Sequence, residues 1–238
     1  MQTKIIGGGT GVPGLGQELA VDPTFLAARV ALRPLEYASQ GTVLGHFRAT
    51  VITGTTVSIG AKGILSYLRW TASSYAVIER LTLNSAYVAS TITTGVIVDA
   101  AAYIRRGSTA AGSGGNAVTI GGNNQKMRAS MGASLVTDMR VATTGALTAP
   151  TNGTQDANPI GYTLTPSTFV TTAPVSGTPA TATLGIAPVD LFKWDALGAH
   201  PPVLVAGESV EFVEYTAGPA TGGIAFAMTY EWAEVVLF

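Results

Sequence analysis

The residues able to do chemistry in this chain are few and scattered. His46 and His200 are its two histidines, and cysteine is absent. That absence removes disulfides, thiolate nucleophiles and thiolate metal sites. A zinc site would need both histidines and a carboxylate. His46, however, falls mid-strand on a polar face, and His200 precedes Pro201-Pro202 in a loop. A Ser-His-Asp triad would have to borrow one of the two, and no G-x-S-x-G elbow occurs.

The chain has fourteen acidic residues, but acid–base work needs two that face each other in environments shifting their pKa values apart. Glu208, Glu211 and Glu214 recur at three-residue spacing, which on a strand alternates between faces. Glu231 and Glu234 also point opposite ways. All five are expected to be solvated or subunit-facing. Asp138, Asp156, Asp190 and Asp195 stand too far apart for a calcium loop.

Gly9-Thr10-Gly11-Val12-Pro13-Gly14 matches GxGxxG, a motif that needs a buried strand before it and a helix after it. Only Lys4-Ile5-Ile6 precedes it, Pro13 lies inside it, and Gly16 and Pro23 break the stretch where the helix would have to run. Asn152-Gly153-Thr154 is a glycosylation sequon with meaning only in a eukaryotic secretory setting. Trp70, Trp194 and Trp232, with Tyr67, Tyr75, Tyr87, Tyr103 and Tyr230, offer a sugar-stacking platform on paper. Most sit among apolar strand residues, so core packing is expected of them. The residues thus point to no catalytic, cofactor-binding or metal position, and no cofactor is expected.

The elements that would position these side chains read as strands. Val43 to Val51 alternates apolar odd positions with His46, Arg48 and Thr50. Tyr75 to Leu83 is β-rich, and Val96 to Arg105 places Val96, Val98, Ala100, Ala102 and Ile104 on one face. Ile224, Phe226, Met228, Tyr230 and Trp232 define the clearest strand. Its expected partner is Ser209 to Tyr215, returning through Gly218 to Gly223 as a hairpin. Only Asp190 to Leu197, downstream of Pro188, reads as a short helix. The expected fold is all-β: a single β-sandwich or jelly-roll-like domain over 27–238, preceded by an extended, flexible N-terminal arm at 1–26. Gly107 to Gly122 reads as a long flexible loop. Residues 149–202 hold eight of the twelve prolines and read as extended loop, edge strand or external excursion.

Composition separates classes of function. Charged residues make up 11% against about 25% in an ordinary globular domain. The net charge is −1. A surface so weakly charged repels its neighbours poorly and favours association. The basic residues are spread out, Arg105-Arg106 being the densest pair, so no nucleic-acid partner is expected. No apolar run is long enough to span a bilayer, and Met1 to Ile6 reaches glycine before a signal-peptide apolar core forms. Neither a membrane partner nor a secretory signal is therefore expected. No repeat of a solenoid or propeller is visible.

Several stretches together resemble tailed-phage virion structural proteins of the capsid cement or decoration kind. They are Gly63 to Trp70 leading into Ala76 to Leu81, Gly114-Gly115, Asn123 to Arg128 with Ser130-Met131, and Arg140 to Thr148. Asp190-Leu191-Phe192, His200-Pro201, Gly207-Glu208 and Tyr230 to Val235 complete the set, and residues 1–59 lie outside it. The resemblance implies a non-enzymatic subunit that binds and stabilises a phage capsid shell, sits on the capsid surface of the virion and is made in the host cytoplasm. Its implied partners are the major capsid protein and copies of itself, as a trimer or higher homo-oligomer. It assigns no role to the Asn123–Ser130 stretch. A tail or head-fibre subunit and a host-surface or carbohydrate-binding module remain as alternatives. A shell protein with a long spine helix is disfavoured, because no helical period of that length occurs.

Overall fold

The structure is a computed structural model that describes residues 6–7, 17–18, 43–90, 98–120, 125–127, 131–164, 188–194 and 200–236. Among these residues there are fourteen strands and no helix. The short β1 (Ile6–Gly7) and β2 (Gln17–Glu18) pair antiparallel with each other. Within 1–26 the chain therefore doubles back at these two pairs; the rest of that segment lies outside the described residues.

The remaining strands form a β-sandwich. They are β3 (Val43–Ile52), β4 (Gly63–Arg69), β5 (Tyr75–Ser90), β6 (Asp99–Arg106), β7 (Asn116–Ala117), β8 (Asp138–Val141), β9 (Thr154–Gln155), β10 (Gly161–Leu164), β11 (Val189–Lys193), β12 (Val203–Leu204), β13 (Ser209–Glu214) and β14 (Gly223–Val235). One sheet runs β10-β6-β13-β4-β8-β7, with β9 beside β6; the other runs β11-β5-β14-β3, with β12 beside β5. Every pairing in both sheets is antiparallel.

The alternation read along β14 sets its inner face. Ile224, Phe226, Met228, Tyr230 and Trp232 all enter the main core, where they meet Leu65, Leu68, Ala100, Ala102 and Phe212 from the opposite sheet. Phe212 and Tyr230 make an edge-to-face ring contact at 5.0 Å. The Tyr230 hydroxyl finds a partner in Ser66 Oγ at 2.5 Å, as a buried phenol must. A second, smaller core lies on the outer side of the larger sheet, where Ile64, Tyr67, Ala101, Tyr103, Ala142, Leu147 and Val213 pack together. Trp70, Trp232, Tyr67, Tyr103 and Tyr230 are all fully buried, as core residues rather than a sugar platform.

Three sequence expectations are corrected. Ser209–Glu214 and Gly223–Val235 are not a hairpin: β13 lies between β4 and β6 of one sheet, and β14 lies between β5 and β3 of the other. The connection from 215 to 222 crosses between sheets, which packed sheets set about 10 Å apart. Consecutive strands pair only about two-thirds of the time. Asp190 to Lys193 is strand, not helix, because Val189–Lys193 adds to β5 as an edge; 195–197 lie outside the described residues. Finally, 107–120 is not a free loop. It bonds backbone to backbone with 139–151 through Thr109 to Thr151, Ser113 to Thr148 and Val118 to Met139. Two of its glycines serve close approach. Side chains on Gly112 and Gly115 would collide with the Thr148 and Val141 carbonyls.

Within 149–202, β9, β10 and β11 are short strands, two of them at sheet edges, in keeping with a proline-rich stretch. Residues 165–187 lie outside the described residues. The Asn123–Ser130 stretch acquires a position through its described part. Gln125–Met127 runs along the edge of β3, with the Arg48 N–H donating to the Gln125 carbonyl and the Met127 N–H to that of His46, both at 2.9 Å. Covering an edge in this way removes a template for unwanted strand addition.

Candidate functional site

The carboxylates expected at the surface are largely inside. Glu208, Glu211, Glu214 and Glu234 are all buried, and Glu211 and Glu234 are completely so. β13 is covered along its whole length, so three-residue spacing there does not bring any of its acids to solvent. The outer sequence pattern missed this because the small second core and the 107–115 segment cover a sheet face that would otherwise be wet.

Each buried acid can be traced to its partners. Glu211 is clasped by Arg105, Nε to Oε1 at 2.5 Å and Nη2 to Oε2 at 3.2 Å, with Gln155 donating to Oε2 at 3.0 Å. Arg105 also donates to the Gly153 carbonyl at 2.8 Å. Arg106 bridges Glu208 at 2.9 Å and Asp156 at 3.1 Å, which hold its guanidinium pKa above the ordinary value. Asp138 accepts from Tyr67 Oη at 2.9 Å and from Arg69 at 3.4 Å. Burial, with the carboxylate beside it, pushes the Tyr67 phenol above its usual range. Glu234 accepts from Ser134, the Leu135 N–H and Trp232 Nε1. Burial nevertheless raises its pKa.

Glu214 is the exception, since its Oε1 is buried without a partner. Burial, and then the nearby Asp99 charge, push its pKa up to about 8. Asp99 itself is satisfied by the Thr216 N–H at 2.8 Å, the Thr216 hydroxyl at 2.6 Å and Tyr162 Oη at 3.3 Å. Asp99 and Glu214 are the nearest thing to a carboxylate dyad. Sequence spacing gave no hint of it, because the two residues are 115 positions apart and meet only through the β6–β13 pairing. Both are 1% exposed, so neither presents an oxygen to a substrate.

His46 is buried against Glu79, Nδ1 to Oε2 at 3.0 Å, so it does not lie on a wet face as read. His200 is exposed. No group of three or more His, Cys, Asp or Glu side chains able to hold a metal occurs among the described residues. Glu231 pairs with Arg48 at 2.7 Å. Asp190 pairs with Arg80 at 2.7 Å and accepts from Thr82 at 2.8 Å, which holds its carboxyl below the ordinary range. Arg48, Glu231, Arg80 and Thr82 line a shallow groove of about 300 Å³ on the outer face of the smaller sheet. Thr50, Thr229 and Asn84 join hydrogen bonds across it. The GxGxxG glycines and Asp195 lie outside the described residues.

The most exposed feature of another kind is an aromatic pair that sequence reading passed over. Tyr162 and Tyr215 are 47% and 38% exposed, and their rings meet edge-to-face at 5.2 Å. Lys62 Nζ lies over the Tyr215 ring at 5.9 Å, and Leu164, 52% exposed, follows on the same strand face. No family model matches the chain, and no curated protein or solved structure matches it either.

Proposed function

We propose that the chain is a structural subunit of a virion, binding and stabilising a phage capsid shell as a cement or decoration protein. The observation that carries this reading is where its charges go. Only 11% of residues are charged, and Arg69, Arg105, Glu208, Glu211, Glu214, Glu234 and Asp138 are withdrawn from solvent. Among the described residues the solvent face is therefore poorer in free charge than the composition alone suggests, which favours contact with other protein over isolation in water. The stretches that resemble phage virion proteins support the same assignment, with the major capsid protein and copies of the chain as partners, in a trimer or higher oligomer.

In this reading residues 1–26 act as an arm laid across a neighbouring subunit, by strand addition or a similar backbone contact. The test is a chain lacking residues 1–24, mixed with isolated capsids. Capsid binding should fall while the circular-dichroism melt of the sandwich is retained. Undiminished binding by the shortened chain would sink the clamping arm.

The Tyr162–Tyr215 pair supports a second reading, a host-surface or carbohydrate-binding role, since exposed rings are what sugars stack on. A glycan array separates the two: saturable binding lost in Tyr162→Ala favours recognition of a sugar.

A further inference from the structure

We infer that Asn152–Gly153 is a site of spontaneous covalent modification, placed so that its conversion loosens the clamp on a buried ion pair. The chain contains this one Asn-Gly sequence. Glycine after asparagine leaves the following backbone nitrogen unshielded by a side chain. That nitrogen can attack the asparagine amide carbon: the Gly153 N–Cγ bond forms, the Cγ–Nδ2 bond breaks, and ammonia leaves. Water then opens the cyclic imide at either carbonyl, giving aspartate or isoaspartate. The only co-reactant is water.

The local structure admits this reaction. Asn152 and Thr151 are exposed, so water and base reach the amide. Asn152 is held at φ 61°, in the left-handed region that asparagine enters more readily than other non-glycine residues. Its amide is held by one contact, Nδ2 to Thr109 Oγ1 at 3.1 Å. The sequence alone singled out this segment only as a sequon; the turn gives it a different chemistry.

The consequence lies in the contacts of Gly153. Its carbonyl accepts from Arg105 Nη1 at 2.8 Å, while Arg105 is the partner of the completely buried Glu211. Gly153 is also packed so tightly that a β-carbon there would collide with Ser108 Oγ. Isoaspartate inserts a methylene into the backbone at this point and adds a negative charge. The Gly153 carbonyl is then displaced from Arg105, and β9, which pairs with Arg105 and Arg106, loses its register.

The experiment incubates the full-length protein in mildly alkaline buffer and maps its peptides by mass, with fragmentation that separates aspartate from isoaspartate. Asn152 should convert ahead of Asn84 and Asn116, and hydrogen exchange at Arg105 and Arg106 should quicken in the converted fraction. Asn152→Gly, which tolerates the same φ and lacks the amide, should keep slow exchange throughout. Asn152 remaining intact while the free peptide Thr151–Gln155 converts would overturn the site. Conversion with unchanged exchange at Arg105 would overturn the coupling to the ion pair.

Discussion

Gly161 of β10 lies directly against Leu191 of β11, so close that a methyl group on Gly161 would collide with the Leu191 carbonyl. The two strands are edges of different sheets. Their contact closes the sandwich along that side, and glycine is the residue that permits it.

Gly161→Ala should therefore push the two edges apart. Overpacking of this kind costs about 1–3 kcal/mol, occasionally more, and a chain of this size loses roughly 2–4 °C of melting temperature per kcal/mol. Calorimetry would show the loss. A variant melting with the parent would mean that the edges do not bear on one another.

The Arg105–Glu211 pair should show strong asymmetry between single and double changes. Glu211→Ala leaves Arg105, whose side chain is 12% exposed, without its counter-charge, at about 3–5 kcal/mol. Changing both to apolar residues of similar size, Arg105→Met with Glu211→Leu, should recover much of that loss. Denaturant titration of Arg105→Met, Glu211→Leu and the double variant measures the coupling. Additive losses would contradict the buried-pair account.

Tyr67→Phe removes a hydroxyl that donates to Asp138 and accepts from the Gly112 N–H at 3.0 Å. The Gly112 N–H and Asp138 Oδ1 then lose this partner, Asp138 keeping Arg69, which should cost about 1–3 kcal/mol. Exchange at Gly112 should quicken, since this hydroxyl holds the 107–115 segment on the outer core. Unchanged protection there would show the segment to be held by other contacts.

Stability should fall as pH rises from acid through neutral for a reason located in Glu214. Its carboxyl is raised to about 8 in the folded chain from an unfolded value near 4.5. A raised carboxyl contributes stability that is fully present below the unfolded pKa and is lost as pH rises through the folded one. Melting temperature should thus drop between about pH 4.5 and 8, and Glu214→Gln should flatten that slope. Asp190, lowered chiefly by its hydrogen bonds from Arg80, works the other way, losing its contribution as pH falls below the ordinary carboxylate range. A slope over that range unchanged in Glu214→Gln would refute the assignment.

The strands were legible because their apolar residues recur with period two, as in Ile224 to Trp232, and their partners were not. Register and sheet membership depend on residues far away, so adjacency suggested a hairpin where β13 and β14 belong to different sheets. The buried acids were misread for a related reason. Glu211 looks like a surface residue by type, and only the meeting of β6, β9 and β13 supplies Arg105 and Gln155 to receive it. Tyr162 sits in a proline-rich stretch with no period, and its contact with Tyr215 spans fifty-three positions. The Gln125–Met127 segment has no pattern of its own, because its role is to cover the edge of β3.

Whether this chain is a virion assembly subunit is decided by its stoichiometry in purified particles. Gradient-banded virions would be quantified by mass spectrometry against the major capsid protein and imaged by cryo-electron microscopy. A cement or decoration subunit should show a fixed copy number in simple ratio to the capsid lattice, with density for the sandwich on the shell. Absence from the particles, or density confined to the tail, would contradict that role.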